Sequence, residues 1–272
     1  MTTFPVSPLF VPSNQLEWIN KAENSEADGL ILDLEDSVPT SEKSKTRKGL
    51  AEYLSSKEIK KPFFIRINPL SSSDGEEDIA LFQNTFKNFL GLIIPKIESP
   101  KELSCLKEET KVILLIETPL ALEGLSLLTK DKKVIGLALG GADLSAELGS
   151  DMSWDALLMA RSMIIIEASK QDLLTIDSPF MEINSEDQLA EESLRAKSMG
   201  FNSKFAIHPK QAKIIRERFL PTQREVEEAK SIVEAYNNSK GGVISVDGKM
   251  VDEPVIRLMK KRLFLAGVVL KR

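Results

Sequence analysis

The sequence predicts an α/β fold, a (β/α)₈ TIM barrel with a C-terminal extension of helices and a hairpin. Eight short apolar runs occur before residue 210, most of them followed by a helical pattern. Strands that alternate with helices pair in parallel, and eight of them suit a barrel of compact length ending near residue 218. Most runs also stop at charged or polar residues, and the carboxyl ends of such strands are where functional groups gather. A doubly wound open sheet is the alternative.

The fifth run is the clearest of the predicted strands. Val112 to Ile116 is apolar and β-branched, which is typical of a strand buried on both faces. Glu117 follows at once, and Pro119 fits the first turn of a helix. The eight predicted strands are residues 7–11, 29–32, 62–68, 91–96, 112–116, 134–139, 173–176 and 204–207. The short run 173–176 could instead be a loop.

Helical patterns separate these runs. Ser99 with Glu102 three residues later is a capping box that predicts a helix start, and acidic residues open the pattern after Ser185, as the helix dipole favours. Lys43 and Arg47, one turn apart on the second helix, are predicted to form a solvated face. Cys105 is predicted to lie in the core. The main predicted helices are residues 14–22, 41–54, 76–89, 154–169 and 185–199.

The last fifty residues differ from the rest. Thr222 and Glu225 form a second capping box that opens a helix over residues 222–236, and residues 237–242 make a flexible break containing Gly241 and Gly242. Residues 243–250 predict a hairpin with an Asp-Gly turn, and residues 254–265 a final helix. We therefore predict a barrel over residues 1–220 and an extension over 221–272. The extension is expected to pack on a neighbouring subunit, or else on its own barrel.

Composition excludes several classes of protein. The chain has 272 residues, a formal charge of −5 and a pI near 5.3, so it carries no basic footprint for nucleic acid. Cys105 is the only cysteine and His208 the only histidine, which excludes an intramolecular disulfide and a four-cysteine zinc site. A metal site would rely on carboxylates, as magnesium prefers. No apolar run could span a bilayer and the N-terminus lacks a signal-peptide pattern, so we expect a cytoplasmic protein without membrane contact.

Charged residues at the strand ends predict an active site. Glu117 and Asp143 could hold magnesium, and Arg66 could grip a carboxylate or carbonyl in bidentate fashion. Gly140-Gly141 would let backbone approach a ligand, and Asp143 opens a helical turn whose N–H groups can bind an anion. These residues suit stabilisation of an enolate beside a carbonyl, and they do not determine which carbon–carbon bond reaction takes place. The predicted strand-end residues are Asp33, Glu35, Asp36, Arg66, Lys96, Glu117, Asp143 and His208.

Eight segments in this order resemble one family over nearly the whole chain. They are Leu9–Pro12, Leu30–Asp36, Ile65–Pro69, Pro95–Ser99, Ile116–Thr118, Leu139–Leu144, Ala206–Pro209 and Met250–Ile256. The chain resembles the citrate lyase β-subunit-like proteins, in the broader group with malyl-CoA lyases and metal-dependent pyruvate aldolases. The resemblance implies a TIM barrel, a homo-oligomer that is often a trimer, and reversible cleavage of a β-hydroxyacyl-CoA into an acyl-CoA and a keto acid or aldehyde.

The resemblance also implies residue roles. It places Mg²⁺ on Glu117 and Asp143, a substrate-gripping arginine at Arg66, and Asp252 in a neighbour's active site as acid/base. We assign catalysis to Arg66, Asp36 and Asp252. His208 is expected to shape the strand-end loop near the cofactor rather than act as a base, and Lys96 to hydrogen-bond in the barrel mouth or serve as a structural cation. The expected substrate-binding residues are Arg66, Glu35, Gly141, Ala142, Asp143, His208 and Pro209.

Three positions depart from the family pattern. Val6 stands where an arginine is usual, Ser13 where a glycine is common, and Ala142 where a glutamate is common. The missing arginine, which helps at the phosphate end of coenzyme A, keeps open a coenzyme-A-independent aldolase for pyruvate-derived hydroxy-keto acids. The absence of a histidine near the second strand counts against that aldolase. A non-catalytic lyase-like subunit is a third reading, opposed by the joint presence of Glu117, Asp143, Arg66 and Asp252.

Overall fold

Eight parallel strands form one sheet within the residues that the computed structural model describes, which are 4–83, 86–239 and 242–267. The strands pair in sequence order, and the sheet closes on itself. The amide of Phe10 donates to the Ala206 carbonyl at 2.9 Å, and the amide of Ala206 donates to the Pro8 carbonyl at 3.0 Å. The predicted (β/α)₈ barrel is therefore confirmed. Its strands are β1 (Pro8–Pro12), β2 (Gly29–Asp33), β3 (Phe63–Arg66), β4 (Phe89–Ile94), β5 (Val112–Ile116), β6 (Val134–Leu139), β7 (Leu174–Asp177) and β8 (Ser203–Lys204).

Helices follow most strands, and short 3₁₀ segments cover Thr40–Glu42 and Pro100–Cys105. Thr118 caps the helix after β5 by accepting from the Ala121 amide, with Pro119 in the first turn as predicted. The helices up to the end of the barrel are α1 (Leu16–Glu23), α2 (Lys43–Ser56), α3 (Ser73–Phe82), α4 (Pro119–Glu123), α5 (Leu125–Leu128), α6 (Gly141–Leu148), α7 (Leu158–Lys170), α8 (Glu186–Met199) and α9 (Pro209–Phe219).

Some sequence predictions about the helices were wrong. The helix predicted over residues 76–89 ends at Phe82, and residue 89 already belongs to β4; Asn88 precedes it at φ 62°, a left-handed value that asparagine tolerates. The helix predicted to start at Trp154 begins at Leu158, and α9 was not predicted. Cys105 is exposed rather than in the core. Residues 1–3 of the N-terminal prediction, residues 84 and 85, and Gly241 lie outside the described residues.

Apolar side chains from around the whole sheet fill the barrel interior. Every residue of β5 is buried, which confirms the two-sided burial expected of the run Val112–Ile116. Since a filled barrel leaves no channel, ligands must enter at the strand ends. The interior cluster consists of Ile31, Phe64, Ile93, Ile113, Leu115, Ala138, Ile176 and Phe205, with Phe10 packed against it.

One buried ion cluster joins the last strands of the barrel. Asp177 at the end of β7 has no exposed surface, and it accepts from Lys204 Nζ at 2.7 Å and Arg161 Nε at 2.8 Å. Burial opposes ionisation of Asp177, but the charges of Lys204 and Arg161 outweigh it and hold the pKa of this carboxyl below its ordinary value. The cluster therefore ties β7, β8 and α7 together.

The chain divides into two compact units, Met1–Glu217 and Arg218–Arg272. The second contains α10 (Gln223–Asn238), the hairpin β9 (Ile244–Val246) and β10 (Lys249–Val251), and α11 (Glu253–Leu265). The capping box of Thr222 and Glu225 is present, and both residues of the Asp247-Gly248 turn have positive φ, as a two-residue hairpin requires. This unit has its own apolar core, built on Val226, Ile232, Val251, Ile256 and Leu263. No helix in the described part of the chain is long and apolar enough to cross a membrane.

Candidate active site

A cavity of about 680 Å³ opens at the carboxyl ends of the barrel strands. Its floor is apolar, formed by Phe10, Leu115 and Phe205, while charged groups from several strand ends stand around it. The structure thus brings together most of the residues that the sequence placed at this edge. Those that line the cavity are Asp33, Asp36, Arg66, Glu117, Gly141, Ala142, Asp143, His208 and Pro209.

Arg66 is held in place by Asp33. Its Nε and Nη2 atoms donate to the two carboxylate oxygens of Asp33, each at 2.7 Å, and its guanidinium lies 4.8 Å from the centre of the Phe10 ring. Burial opposes the charge on both side chains, yet their mutual attraction raises the pKa of Arg66 and lowers that of Asp33. The bidentate face that we expected to grip substrate is thus used within the protein, and Nη1 is the nitrogen that points toward Glu35 and Asp36, at 3.0 and 3.5 Å.

Glu35 is a buried carboxyl whose two oxygens find no hydrogen-bond partner among the described residues. Arg66 Nη1 and Lys96 Nζ approach it at 3.0 and 3.3 Å, without the alignment of a hydrogen bond. Burial raises the pKa of Glu35 to about 7, because desolvation outweighs the opposing pull of Arg66. Glu35 is 3% exposed and is not among the residues that line the cavity, so it acts on the site through Arg66 and Lys96.

Glu117 directly follows β5 and is 1% exposed. Its Oε1 accepts from the Lys96 amide at 2.8 Å. Lys96 has φ 50°, a left-handed value that is uncommon for lysine and that accompanies this contact. Burial raises the pKa of Glu117 to about 8, with further increases from the charges of Glu35 and Asp143. Glu117 is therefore a carboxylate whose ionised form requires a nearby positive charge.

The two glycines after β6 line the cavity and also make room for neighbouring side chains. A Cβ on Gly140 would lie 2.5 Å from both Cβ and Oε2 of Glu117, and one on Gly141 would lie 3.0 Å from Cβ and Oγ of Ser178. The approach of a ligand to Gly140-Gly141 stays a prediction, and the structure adds a packing role for both glycines. These contacts bring the first turn of α6, which carries Asp143, against Glu117.

The donor set fits a hard divalent cation. Five carboxyls lie at the strand ends together with the cations Arg66 and Lys96, and Lys21 also lines the cavity; the carboxyls are Asp33, Glu35, Asp36, Glu117 and Asp143. Burial raises the pKa of Glu117, so a bound cation would favour its ionised form. Within the described ranges, no three His, Cys, Asp or Glu side chains converge tightly enough to form a metal cage. Magnesium is commonly bound by one or two carboxylates with water and substrate oxygens completing its octahedron, so Glu117 and Asp143 suffice.

His208 lines the cavity but also begins α9. Its Nδ1 accepts from the Lys210 amide at 3.2 Å, and its carbonyl accepts from the Gln211 amide at 3.0 Å. The imidazole thus caps the helix, in keeping with a structural or binding role.

Lys43 and Arg47 are not a solvated face, and this prediction was wrong. Arg47 is 2% exposed and pairs with Asp74, Glu77 and Asp78 of α3. Lys43 reaches the loop after β2, which carries the acidic residues. Sequence reasoning missed both because the i, i+4 spacing of two cations is common on exposed helices. The acidic partners of Arg47 lie some thirty residues away, and Lys43 is bound by backbone carbonyls that no sequence pattern marks.

Position 6 lies two residues before β1 and three residues before Leu9, the first residue of β1 that lines the cavity, which is about 10 Å in extended chain. Val6 is buried, and its amide donates to Asp28 Oδ2 at 2.9 Å. Val6 is not among the residues that line the cavity, and coenzyme A binding stays a prediction. Asp252 belongs to the second unit, where its Oδ1 accepts from the Val255 amide at 3.3 Å and caps α11.

Comparisons with known proteins agree with this geometry. The family model described as HpcH/HpaI aldolase/citrate lyase matches residues 7–209. The citrate lyase subunit beta of Haemophilus influenzae is 31% identical over 92% of each chain. The mitochondrial citramalyl-CoA lyase of Rattus norvegicus is 27% identical over 95% of this chain and 85% of its own.

A crystal structure of CitE from Mycobacterium tuberculosis, in complex with magnesium, acetoacetate and coenzyme A, has the same fold. It superposes with a TM-score of 0.82 at 27% identity, covering 98% of this chain and 100% of that one.

Proposed function

The chain belongs to the HpcH/HpaI aldolase/citrate lyase family, and on that premise we propose that it is a magnesium-dependent carbon–carbon lyase. Its substrate is a β-hydroxyacyl-CoA of the citryl, malyl or citramalyl type, cleaved to an acyl-CoA and a keto acid. The observation that carries the proposal is the meeting of Glu117, Asp143 and Arg66 at the mouth of a cavity of about 680 Å³. The relatives named as citrate and citramalyl-CoA lyases, and the complex of CitE with magnesium and coenzyme A, support it.

Glu117 and Asp143 would hold the magnesium ion. When bound, the ion supplies positive charge to the oxygen on which negative charge develops as the carbon–carbon bond breaks. Its binding would also offset the negative charge of the carboxylates at the site, among them the buried Glu117, which makes no ion pair with any described residue. The Lys96 amide orients Glu117, so the ligand is preorganised.

Arg66 provides the second positive charge. Because Asp33 and the Phe10 ring hold its guanidinium rigid, Arg66 presents Nη1 in a defined direction and can stabilise a substrate carboxylate or enolate oxygen without reorganising. The apolar floor of Phe10, Leu115 and Phe205 excludes water beneath the reacting carbons, which strengthens these charge interactions.

Cleavage needs two proton transfers. The substrate hydroxyl loses its proton as it becomes the carbonyl of the keto acid, and the electron pair of the broken bond passes into an enolate that gains a proton on carbon. Asp36, exposed at the rim of the cavity, is the proposed acceptor of the hydroxyl proton. Asp252 of a neighbouring copy is the proposed donor to carbon, in a homo-oligomer, proposed to be a trimer, in which each second unit completes the barrel of a neighbour.

Direct assay of cleavage tests the lyase proposal. The purified protein is offered citramalyl-, malyl- and citryl-CoA, and separately a pyruvate-derived hydroxy-keto acid, with and without magnesium, and the keto acid is trapped as its phenylhydrazone. Glu117→Ala and Asp143→Ala should each abolish magnesium-dependent turnover. Glu123→Ala, at an exposed position of α4, is the matched control and should retain it. Turnover of the hydroxy-keto acid but of no acyl-CoA substrate, or no turnover of any substrate, would refute the proposal.

Subunit mixing tests the shared site. Asp252→Asn keeps a helix-capping side chain but removes the acid, and mixing it with Glu117→Ala should restore part of the activity. Mixing Glu117→Ala with Asp143→Ala is the control, since both changes damage the same barrel and no combination of subunits repairs it. No recovery in the first mixture, after subunit exchange is verified by mass spectrometry, would count against donation of Asp252 between subunits.

A further inference from the structure

The geometry points to Lys43 as a positioning residue for catalysis: its ammonium group holds the loop after β2 so that Glu35 meets Arg66 and Lys96. Lys43 Nζ donates to the carbonyl of Leu34 at 3.0 Å and to that of Glu35 at 2.9 Å. It also donates to Oδ1 of Asn68. The inference rests on the proposed lyase function for its kinetic test.

The third contact of Lys43 is itself anchored. Asn68 donates its backbone and side-chain N–H groups to Asp78 Oδ2, both at 2.8 Å, and its Nδ2 also donates to the Leu34 carbonyl at 3.1 Å. Asp78 is fully buried and pairs through Oδ1 with Arg47, which is 2% exposed. A continuous chain of hydrogen bonds thus runs from α3 through Asn68 and Lys43 to the backbone of the acidic loop.

Glu35 depends on this anchor more than its neighbours do. Both of its oxygens are buried without a hydrogen-bond partner among the described residues, so its side chain is located only by the charges of Arg66 and Lys96 and by its backbone. Asp33, in contrast, is fixed by two hydrogen bonds from Arg66. Lys43 donates a hydrogen bond to the backbone carbonyl of Glu35 itself, and therefore controls where the Glu35 carboxyl lies relative to Arg66.

Lys43 does not line the cavity among the described residues, so it acts through the loop rather than on substrate. Loss of its charge would leave Oδ1 of Asn68 without the Lys43 donor and would remove one of two donors from each of the Leu34 and Glu35 carbonyls, which keep Asn68 Nδ2 and the Val38 amide; the loop would then relax. Small displacements of a charged group at a reacting centre have large kinetic effects. Glu35 lies 3.0 Å from Arg66 Nη1 and 3.3 Å from Lys96 Nζ, so its placement sets how much of their positive charge is left to stabilise negative charge in the transition state.

The test compares Lys43→Met with Lys45→Met, an exposed lysine on the same helix. We expect Lys43→Met to lower kcat by about tenfold to a hundredfold with KM changed less than about threefold, because an interaction made in the transition state is lost. Lys45→Met should match the wild type. Hydrogen exchange followed by mass spectrometry should show faster exchange in residues 34–38 of Lys43→Met, where the amides of Glu35 and Ser37 donate to Asp33.

Asn68→Ala gives a second route to the same answer. It removes one partner of Lys43 and one donor to Leu34, and it should lower kcat while adding little to the defect of Lys43→Met, since both act through one network. Wild-type kcat per folded molecule in Lys43→Met, with unchanged exchange in residues 34–38, would overturn the positioning role. Absence of lyase activity in the wild type would refute the proposed function instead, and the exchange measurement would still decide whether Lys43 holds the loop.

Discussion

Gly140 offers the sharpest test of how the site is built, because the absence of a side chain at this position makes room for Glu117. A Cβ at this position would lie 2.5 Å from both Cβ and Oε2 of Glu117, whereas ordinary contact begins at 3.4 Å. Gly140→Ala therefore forces a separation of about 0.9 Å between the α6 start and the carboxylate that we assign to magnesium. The backbone of Gly140 has φ −89°, so alanine is not excluded by its conformation.

A misplacement of this size at a reacting centre costs about a hundredfold in rate. We expect kcat/KM of Gly140→Ala to fall by that order and magnesium to be needed at higher concentration. The assay is cleavage of the best acyl-CoA substrate over a magnesium titration, with thermal unfolding measured on the same samples. Gly49→Ala is the control, since its added Cβ would meet only Leu16 Cδ1 at 3.8 Å and alanine favours the helix. Gly140→Ala activity within threefold of wild type would refute the argument.

Two further predictions concern the buried cations. Arg66→Lys should lower kcat/KM by at least about tenfold, because an ammonium cannot pair with both oxygens of Asp33 and still point toward substrate; a normal rate in steady-state assays would contradict this. Lys204→Met should destabilise the protein by about 3 to 5 kcal/mol near neutral pH by leaving Asp177 with one cation fewer. Because the pKa of Asp177 is lowered in the folded state, its ionised form stabilises the protein above the ordinary pKa of 3.8, and this stabilisation is lost as pH falls through the folded pKa. The difference in free energy of unfolding between wild type and Lys204→Met, measured by urea unfolding, should therefore narrow in acid. A difference that widens in acid would contradict this.

The strands and the main site carboxylates were predictable because their signals are local. The run from Val112 to Ile116 is uniformly apolar and ends at Glu117, and burial on both faces of a parallel strand demands such a run. The strand-end rule then placed Glu117, Asp143 and Arg66 at one edge. The helix over residues 76–89 was mispredicted because apolar spacing alone does not reveal where a helix stops: α3 ends at Phe82, and Asn88 with its left-handed φ directly precedes β4.

By itself the sequence determined the order of strands, the barrel and the set of charged residues at its mouth, since hydrophobic period and chain order dictate all three. Only the tertiary structure decided which charges pair. Arg66 makes its bidentate contact with Asp33, Gly140 leaves room for the side chain of Glu117, and Lys43 donates to the backbone carbonyl of Glu35. These partners lie between 8 and 33 residues apart in the chain, and a buried charge takes whichever partner the fold brings within hydrogen-bond distance, because burial without one is too costly.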